Sequence, residues 1–245
     1  MNFLMEVMEK HRSVRQFTEK DVSNDLLKRV FEVSQWASTS NHLQAYSVIV
    51  IREKEKKRCL AELCGNQAHI ANSPVFLVFC ADLNRIKISH DLESKSMNLN
   101  LVEPLLVATV DTALFGQNVL LASESLGLGG VFIGGIRNNP HDVCHLLNIP
   151  EHIFPLFGMC LGYPEKVNEQ KPRLPINAVV HTEEYDYAKL PGFIQEYNNT
   201  MKQYYENRTS AKRSQTWTDY VSEVYKEPRR VHMAEFLKEK KFGFK

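Results

Sequence analysis

Apolar and polar positions along the chain fall into two periods, and the switches between them divide it into elements. Ser23 followed by Leu26, Leu27, Val30, Phe31, Ser34 and Ala37 keeps a helical spacing, with the serine placed as a cap. Positions 46–51 are rich in β-branched residues and predict a strand, and a charged helix is expected over 53–64. The unbroken apolar run at 75–80 predicts a strand buried on both faces. Positions 105–126 form one long, charge-poor helical stretch that ends at Gly127 as a C′ cap. A helix apolar nearly all round belongs in the centre of a fold or between subunits. Further strands are expected at 131–133 and 154–160, with a helix over 141–147 between them. The class these elements imply is α+β, with a sheet of at least four strands around a central helix.

After Lys171 the pattern changes. Pro172, Pro175 and Pro191 space out an irregular segment, and from Phe193 onward the chain is charged, tyrosine-rich and helical in pattern. Its aliphatic content is too low for independent folding. The expected organisation is a core over 1–180 and an extension over 181–245 that packs on the core or on a partner subunit.

Charge narrows the function classes. Thirty lysines and arginines against 29 acids leave a formal charge of +1, which argues against a dedicated nucleic-acid binder. Cys59, Cys64, Cys80, Cys144 and Cys160 are odd in number and contain no C-x-x-C, which fits a reducing cytoplasm. A redox pair at Cys59 and Cys64 is the alternative use of two of them. Glu6 and Glu9 interrupt the N-terminus, so no signal peptide is expected there. The stretch 154–163, taken as the longest nearly apolar one, is about half of what a spanning helix needs, so no membrane partner is expected.

Several motifs fail. In Gly127-Leu128-Gly129-Gly130-Val131-Phe132, Phe132 stands where a dinucleotide fingerprint needs its third glycine, and these glycines precede a strand. No Walker A and no G-x-S-x-G sequence occurs. His141 and His145 flank Cys144 at metal-ligand spacing, but no further ligands are evident and no metal is expected.

Two basic segments survive. His11-Arg12-Ser13-Val14-Arg15 and Lys171-Pro172-Arg173 carry four cations, a histidine and a hydroxyl, and between them lies a glycine-bracketed apolar strand ending in Ile133-Gly134-Gly135. An anion beside a flat apolar ring needs that combination, and a phosphorylated flavin supplies both. The loop Ser38-Thr39-Ser40-Asn41-His42-Leu43-Gln44 is crowded with hydroxyls and amides, and Gln67 follows Gly65-Asn66 in a turn-like run.

Taken in order, these segments resemble the nitroreductase family. The matching runs are His11 to Phe17, Ser38 to Gln44, Gly127 to Asn139, Pro155 to Gly162 and Lys171 to Pro175. They are similar to its larger branch, the oxygen-insensitive NADPH nitroreductases and flavin reductases. With Arg208 and Thr216-Trp217 the resemblance spans essentially the whole chain. It implies the nitroreductase-like α+β fold, a central antiparallel-type sheet flanked by helices, and an intertwined homodimer with two FMN sites. His11, Arg12, Ser13, Arg15, Gln67, Ile133, Gly134, Gly135, Lys171 and Arg173 would line the FMN site, with Thr39, Ser40 and Asn41 coming from the neighbouring subunit. Thr39 and Asn41 depart from the serines common there. Arg137, Arg208, Lys212, Arg213 and Arg229 would bind NADPH, with Arg230 as a neighbour. Hydride would pass to flavin N5 and on to a nitroaromatic, quinone or free flavin in ping-pong fashion, with Arg15 as electrostatic support and no catalytic side chain. Reduction of free flavin as the main role, or a non-catalytic flavin carrier, are the alternatives.

Overall fold

The computed structural model describes residues 2–99, 101–208 and 215–243. They fall into two compact units, Met1–Asn168 with His232–Lys245, and Glu169–Val231.

The first unit is organised by a four-stranded antiparallel sheet in the order β1-β2-β4-β3: β1 Tyr46–Ile51, β2 Val75–Asp82, β3 Gly129–Ile133 and β4 Ile153–Gly162. Every residue of β2 is buried, as its apolar run predicted. Its side chains alternate between two cores. Val75, Leu77 and Phe79 join the one that holds Leu27 and Val30 of α2 (Asn24–Ser34) and Phe115 and Val119 of α6 (Val102–Ser125). Phe76, Val78 and Cys80 join the other, with Leu60 of α3 (Lys54–Leu63), Ile70 of α4 (Ala68–Asn72) and Val143 of α7 (Pro140–Leu146). The ladder between β2 and β4 steps once: Phe79 faces Phe157 and Cys80 faces Pro155, so Leu156 is bulged out of register.

Two further helices complete the N-terminal part, α1 (Phe3–Glu9) and α5 (Asn84–Leu92). The predicted cap is present, with Leu26 N–H donating to Ser23 Oγ at 3.2 Å. Gly127 closes α6 in the left-handed region at φ +78°, where a glycine carries no penalty.

By length and composition α6 could cross a membrane, and the reading that took 154–163 as the longest apolar stretch undercounted it. It is a core helix here. Ala108, Asp111, Thr112, Phe115, Gly116, Val119, Leu120 and Ser123 are buried. Asp111, with no exposed surface, accepts from the backbone N–H of Ser40 at 2.9 Å and of Ala45 at 3.0 Å. Those two bonds hold a loop in which Asn41, His42 and Gln44 all have positive φ.

Within the C-terminal stretch, His232–Lys245 groups with the first unit. The reason is two aromatics. Phe236 of α10 (Met233–Glu239) and Phe242 are fully buried, and Phe242 meets Phe154 edge-on at 4.8 Å. Lys240 Nζ donates to Ile149 O at 2.8 Å and to Pro150 O at 2.5 Å.

In the second unit α8 (Leu190–Asn207) packs on α9 (Trp217–Val224) through Tyr197 and Trp217, whose rings lie 5.9 Å apart. The Asn198 amide bonds Thr218 twice, from Nδ2 to Oγ1 at 2.9 Å and from Thr218 N–H to Oδ1 at 3.1 Å. Thr216 and Asp219 form a reciprocal capping box at the start of α9.

Asp111→Ala removes the acceptor of two backbone donors. At roughly 1–3 kcal/mol for each of the two groups left without a partner, unfolding in urea should show a loss of about 2–6 kcal/mol. A loss below ~1 kcal/mol would mean the loop finds other acceptors.

Candidate functional site

The basic segment at the N-terminus follows α1 and runs extended beside the sheet. Val14 N–H donates to Gly130 O of β3 at 3.0 Å, Glu165 N–H to Gln16 O at 3.0 Å, and Thr18 N–H to Tyr163 O at 2.9 Å. Val14 is buried, so in an extended chain Ser13 and Arg15 turn to the other face, and Arg15 is exposed. Arg12 Nη1 bends back to Lys10 O at 2.5 Å.

His11 has a partner that the sequence reading missed. Its Nδ1 lies 2.6 Å from Glu124 Oε1, on the last turn of α6. Glu124 Oε2 is buried without a hydrogen-bond partner. An acid at a helix C-terminus opposes the helix dipole, which marks Glu124 as an unusual charge without naming its partner.

At the far end of β3 the chain turns through a 3-10 segment, Gly134–Arg137. A Cβ on Gly135 would strike Cys64 O at 2.4 Å and Gln67 Nε2 at 2.5 Å, so glycine is required where this turn meets the one after α3. Gln67 is fixed there by donating from Nε2 to Cys64 O at 2.8 Å. Gly134 is different. A Cβ there would meet only Arg137 Nη2, at 3.5 Å, which leaves an open backbone ledge. Arg137 Nη1 donates to Leu156 O, the carbonyl of the β4 bulge, while Arg137 O accepts from His232 Nε2 at 3.0 Å when that nitrogen carries the proton.

His69, on α4 two residues past Gln67, was also missed. Its Nε2 is buried without a hydrogen-bond partner. Burial, and then the neighbouring charge of Arg15, hold its pKa below the usual 6.5. So the structure gathers Gln67, Gly135 and Arg137 at one turn, and His69 feels the charge of Arg15.

Other predicted residues lie elsewhere. Thr39, Ser40 and Asn41 sit on the loop bonded to Asp111, thirteen residues before Glu124 on α6. That is ~20 Å along the helix axis from the anchor of His11. Lys171, Arg173, Arg208 and Arg229 belong to the second unit. There Arg173 Nη1 donates to Lys171 O at 3.0 Å, and Arg208 Nε is buried without a partner. Lys212 and Arg213 lie outside the described residues. His141 Nε2 pairs with Glu239 at 2.6 Å, and no group of three or more metal-binding side chains occurs among the described residues. The five cysteines are free, and burial pushes the Cys160 thiol up to about 12.

A flavin mononucleotide fits this donor set. The cations and hydroxyl of an anchored strand suit a phosphate, the bare ledge at Gly134 admits a flat ring, and His69 Nε2 is a buried polar atom without a protein partner.

A family model described as "Nitroreductase family" matches residues 8–163, and a second, "Nitroreductase family, C-terminal domain", matches residues 171–245. The chain belongs to the nitroreductase family. A chromate reductase, "CR(VI) reductase", of Pseudomonas sp. (strain G-1) is 39% identical over 98% of this chain and 99% of its own length. The "Oxygen-insensitive NADPH nitroreductase" of Salmonella typhimurium is 40% identical over 97% of both chains. Among solved structures, Bacillus megaterium NfrA2 superposes with a TM-score of 0.97 at 38% identity, covering 100% of each chain. The nitroreductase fold is therefore the fold of this chain.

The depressed pKa of His69 sets a pH dependence. Below about pH 6.5 the unfolded chain takes up a proton that the folded chain resists, so stability is complete above that pH and falls on acidification. His152 is depressed chiefly by burial and acts in the same direction. His69→Gln should therefore flatten, without abolishing, the decline in thermal midpoint between pH 7 and pH 5. An unchanged slope would remove His69 from this account.

Proposed function

We propose that the protein is an FMN-dependent NADPH oxidoreductase that reduces nitroaromatics, quinones or free flavins, working as a homodimer in the cytoplasm. The observation that carries this reading is the anchored Arg12–Ser13–Arg15 strand in the same unit as the open Gly134 ledge, which Gln67 and Arg137 border. The names of the relatives support it: besides those above, a Vibrio harveyi relative is named "NADPH-flavin oxidoreductase" and a Bacillus subtilis one "FMN reductase (NADPH)".

In this reading His11, Arg12, Ser13 and Arg15, with Lys171 and Arg173, hold the FMN, while Gln67, Ile133, Gly134 and Gly135 border its ring. When bound, the flavin would supply two-electron hydride chemistry between NADPH and the acceptor. The chain's own part is positioning and charge. Arg15 places a permanent cation near the ring site, where negative charge on a reduced flavin would be stabilised. Glu124 can only accept when ionised, so it commits His11 Nδ1 to carrying a proton. Arg137, Arg208, Lys212, Arg213 and Arg229 are assigned to the donor, with the 2′-phosphate as the group that distinguishes NADPH from NADH. Thr39, Ser40 and Asn41 are assigned to the partner subunit's flavin, in keeping with their separation along α6 from the His11 anchor.

The dimer rests on an apolar stripe. Val102, Leu106, Val110 and Leu114 recur every fourth residue on α6 and are all about half exposed, while Trp36 is 90% exposed. A soluble monomer rarely leaves such a stripe open, and a second copy of the chain covers it in this reading.

Three experiments test the proposal. Arg12→Ala or Arg173→Ala should weaken FMN binding by roughly 10- to 150-fold through loss of a charge-assisted phosphate contact, read by titration of flavin-free protein. Unchanged affinity in both would sink the assignment. NADPH should be preferred to NADH in steady-state kcat/KM, with the preference weakening as salt rises. If Arg229→Ala leaves that ratio untouched, the 2′-phosphate assignment is wrong. Light scattering should report a dimer, and Leu106→Glu should dissociate it; a wild-type monomer that retains FMN would contradict the dimer.

A further inference from the structure

Lys171 and Arg173 are exposed, and exposed cations on a short loop ordinarily swing freely. These two do not sit on a free loop. Pro172 between them has a fixed φ, and a residue before proline is confined to extended conformations. The Pro172 carbonyl accepts a hydrogen bond from Tyr197 Oη at 2.9 Å. Tyr197 itself is 5% exposed and its ring is wedged against Trp217, so this anchor is part of the α8–α9 core. The Lys171 ammonium lies 5.7 Å from the ring centre of Tyr205 on α8 and 5.8 Å from that of Tyr220 on α9, within cation–π range of both. Arg173 closes the loop by its bond to Lys171 O. One buried hydroxyl, two ring faces and a proline thus set the direction of two adjacent cations.

A solvated basic patch needs none of this. Fixing rotamer-rich side chains before binding removes an ordering cost that a ligand would otherwise have to meet. A small, doubly charged anion gains most from such a pair, because its oxygens must meet both cations at once. The carbonyl held by Tyr197 sits between the two cations in sequence, so losing that bond frees both together.

We propose that Tyr197 is a positioning residue that sets Lys171 and Arg173 as a preformed clamp for the phosphate of the flavin, with Tyr205 and Tyr220 holding the Lys171 ammonium. It rests on the reading that these two cations bind FMN. None of the three tyrosines is assigned contact with the flavin; they act through the loop.

The test compares FMN with riboflavin, which has the same ring and no phosphate. Flavin-free protein is titrated with each, following flavin fluorescence, in the wild type, Tyr197→Phe and Tyr220→Leu. Tyr197→Phe keeps the ring and removes one neutral hydrogen bond, so FMN should bind ~5-fold more weakly while riboflavin is unchanged. Tyr220 is 55% exposed, so Tyr220→Leu leaves the core intact and should loosen FMN alone by roughly twofold. Equal weakening of both flavins in Tyr197→Phe would mark a merely structural role and overturn the proposal, as would an FMN-to-riboflavin ratio equal to that of the wild type. Should Tyr197→Phe not fold, the ratio in Tyr220→Leu decides. A wild type that binds both flavins equally would overturn the phosphate assignment itself, and the clamp with it; a wild type that prefers FMN, with the same preference in both variants, overturns the clamp alone.

Discussion

The first unit is built around a strand with no solvent face. All eight residues of β2 are buried, and alternate side chains face opposite ways, so two separate layers must cover it. One is α2 with α6; the other is α3, α4 and α7, completed by the C-terminal aromatics Phe236 and Phe242. The chain end returns to the core because the second layer is not closed without it. β4 is placed beside β2 by the same requirement, and β3 beside β4.

The candidate site grows from the margin of that sheet. Gly130 of β3 receives the basic strand through Val14, and the end of β3 supplies the glycine turn. α6, the central helix, anchors the two predicted polar segments at different heights, His11 at Glu124 and the Ser40–Ala45 loop at Asp111. Each of those carboxylates is nearly or wholly buried and bonded to a segment carrying predicted site residues. Acids in a helix otherwise chosen for apolar packing are held there by what they bond.

How much of this was legible follows from burial. The four strands, α2, α3, α6 and α7 each bury side chains at a regular spacing, and the sequence showed them within a few residues. Neither α1 nor α5 buries a single residue, and Phe3, Leu4, Met5 and Met8 of α1 are exposed, so neither is marked by a core-facing stripe. The chain end carries little pattern for a related reason. Phe236 and Phe242 are two aromatics in a charged stretch, too few to announce a core segment, yet each fills a hole in a core assembled far away in sequence. Segments bearing glycines, arginines and hydroxyls were legible because their composition is itself the chemistry. Partners were not: Glu124, His69, Asp111 and Tyr197 take their roles from neighbours that are distant in sequence or lie across a loop, and spacing carries no record of such pairings.

The bulge in β4 gives the sheet a second function, that of a ruler. Because Leu156 stands outside the ladder, its carbonyl is available to Arg137 instead of a neighbouring strand. The glycine turn at the end of β3 is thereby tied to a specific notch in β4, and the notch exists only while Pro155 and Phe157 keep their partners. Length changes in β4 would slide the notch along the strand and carry the anchoring point of Arg137 with it. The glycine turn is thus geared to the pitch of its sheet: Gly135 and Arg137 are fixed in it, and so is its distance from the strand that measures it.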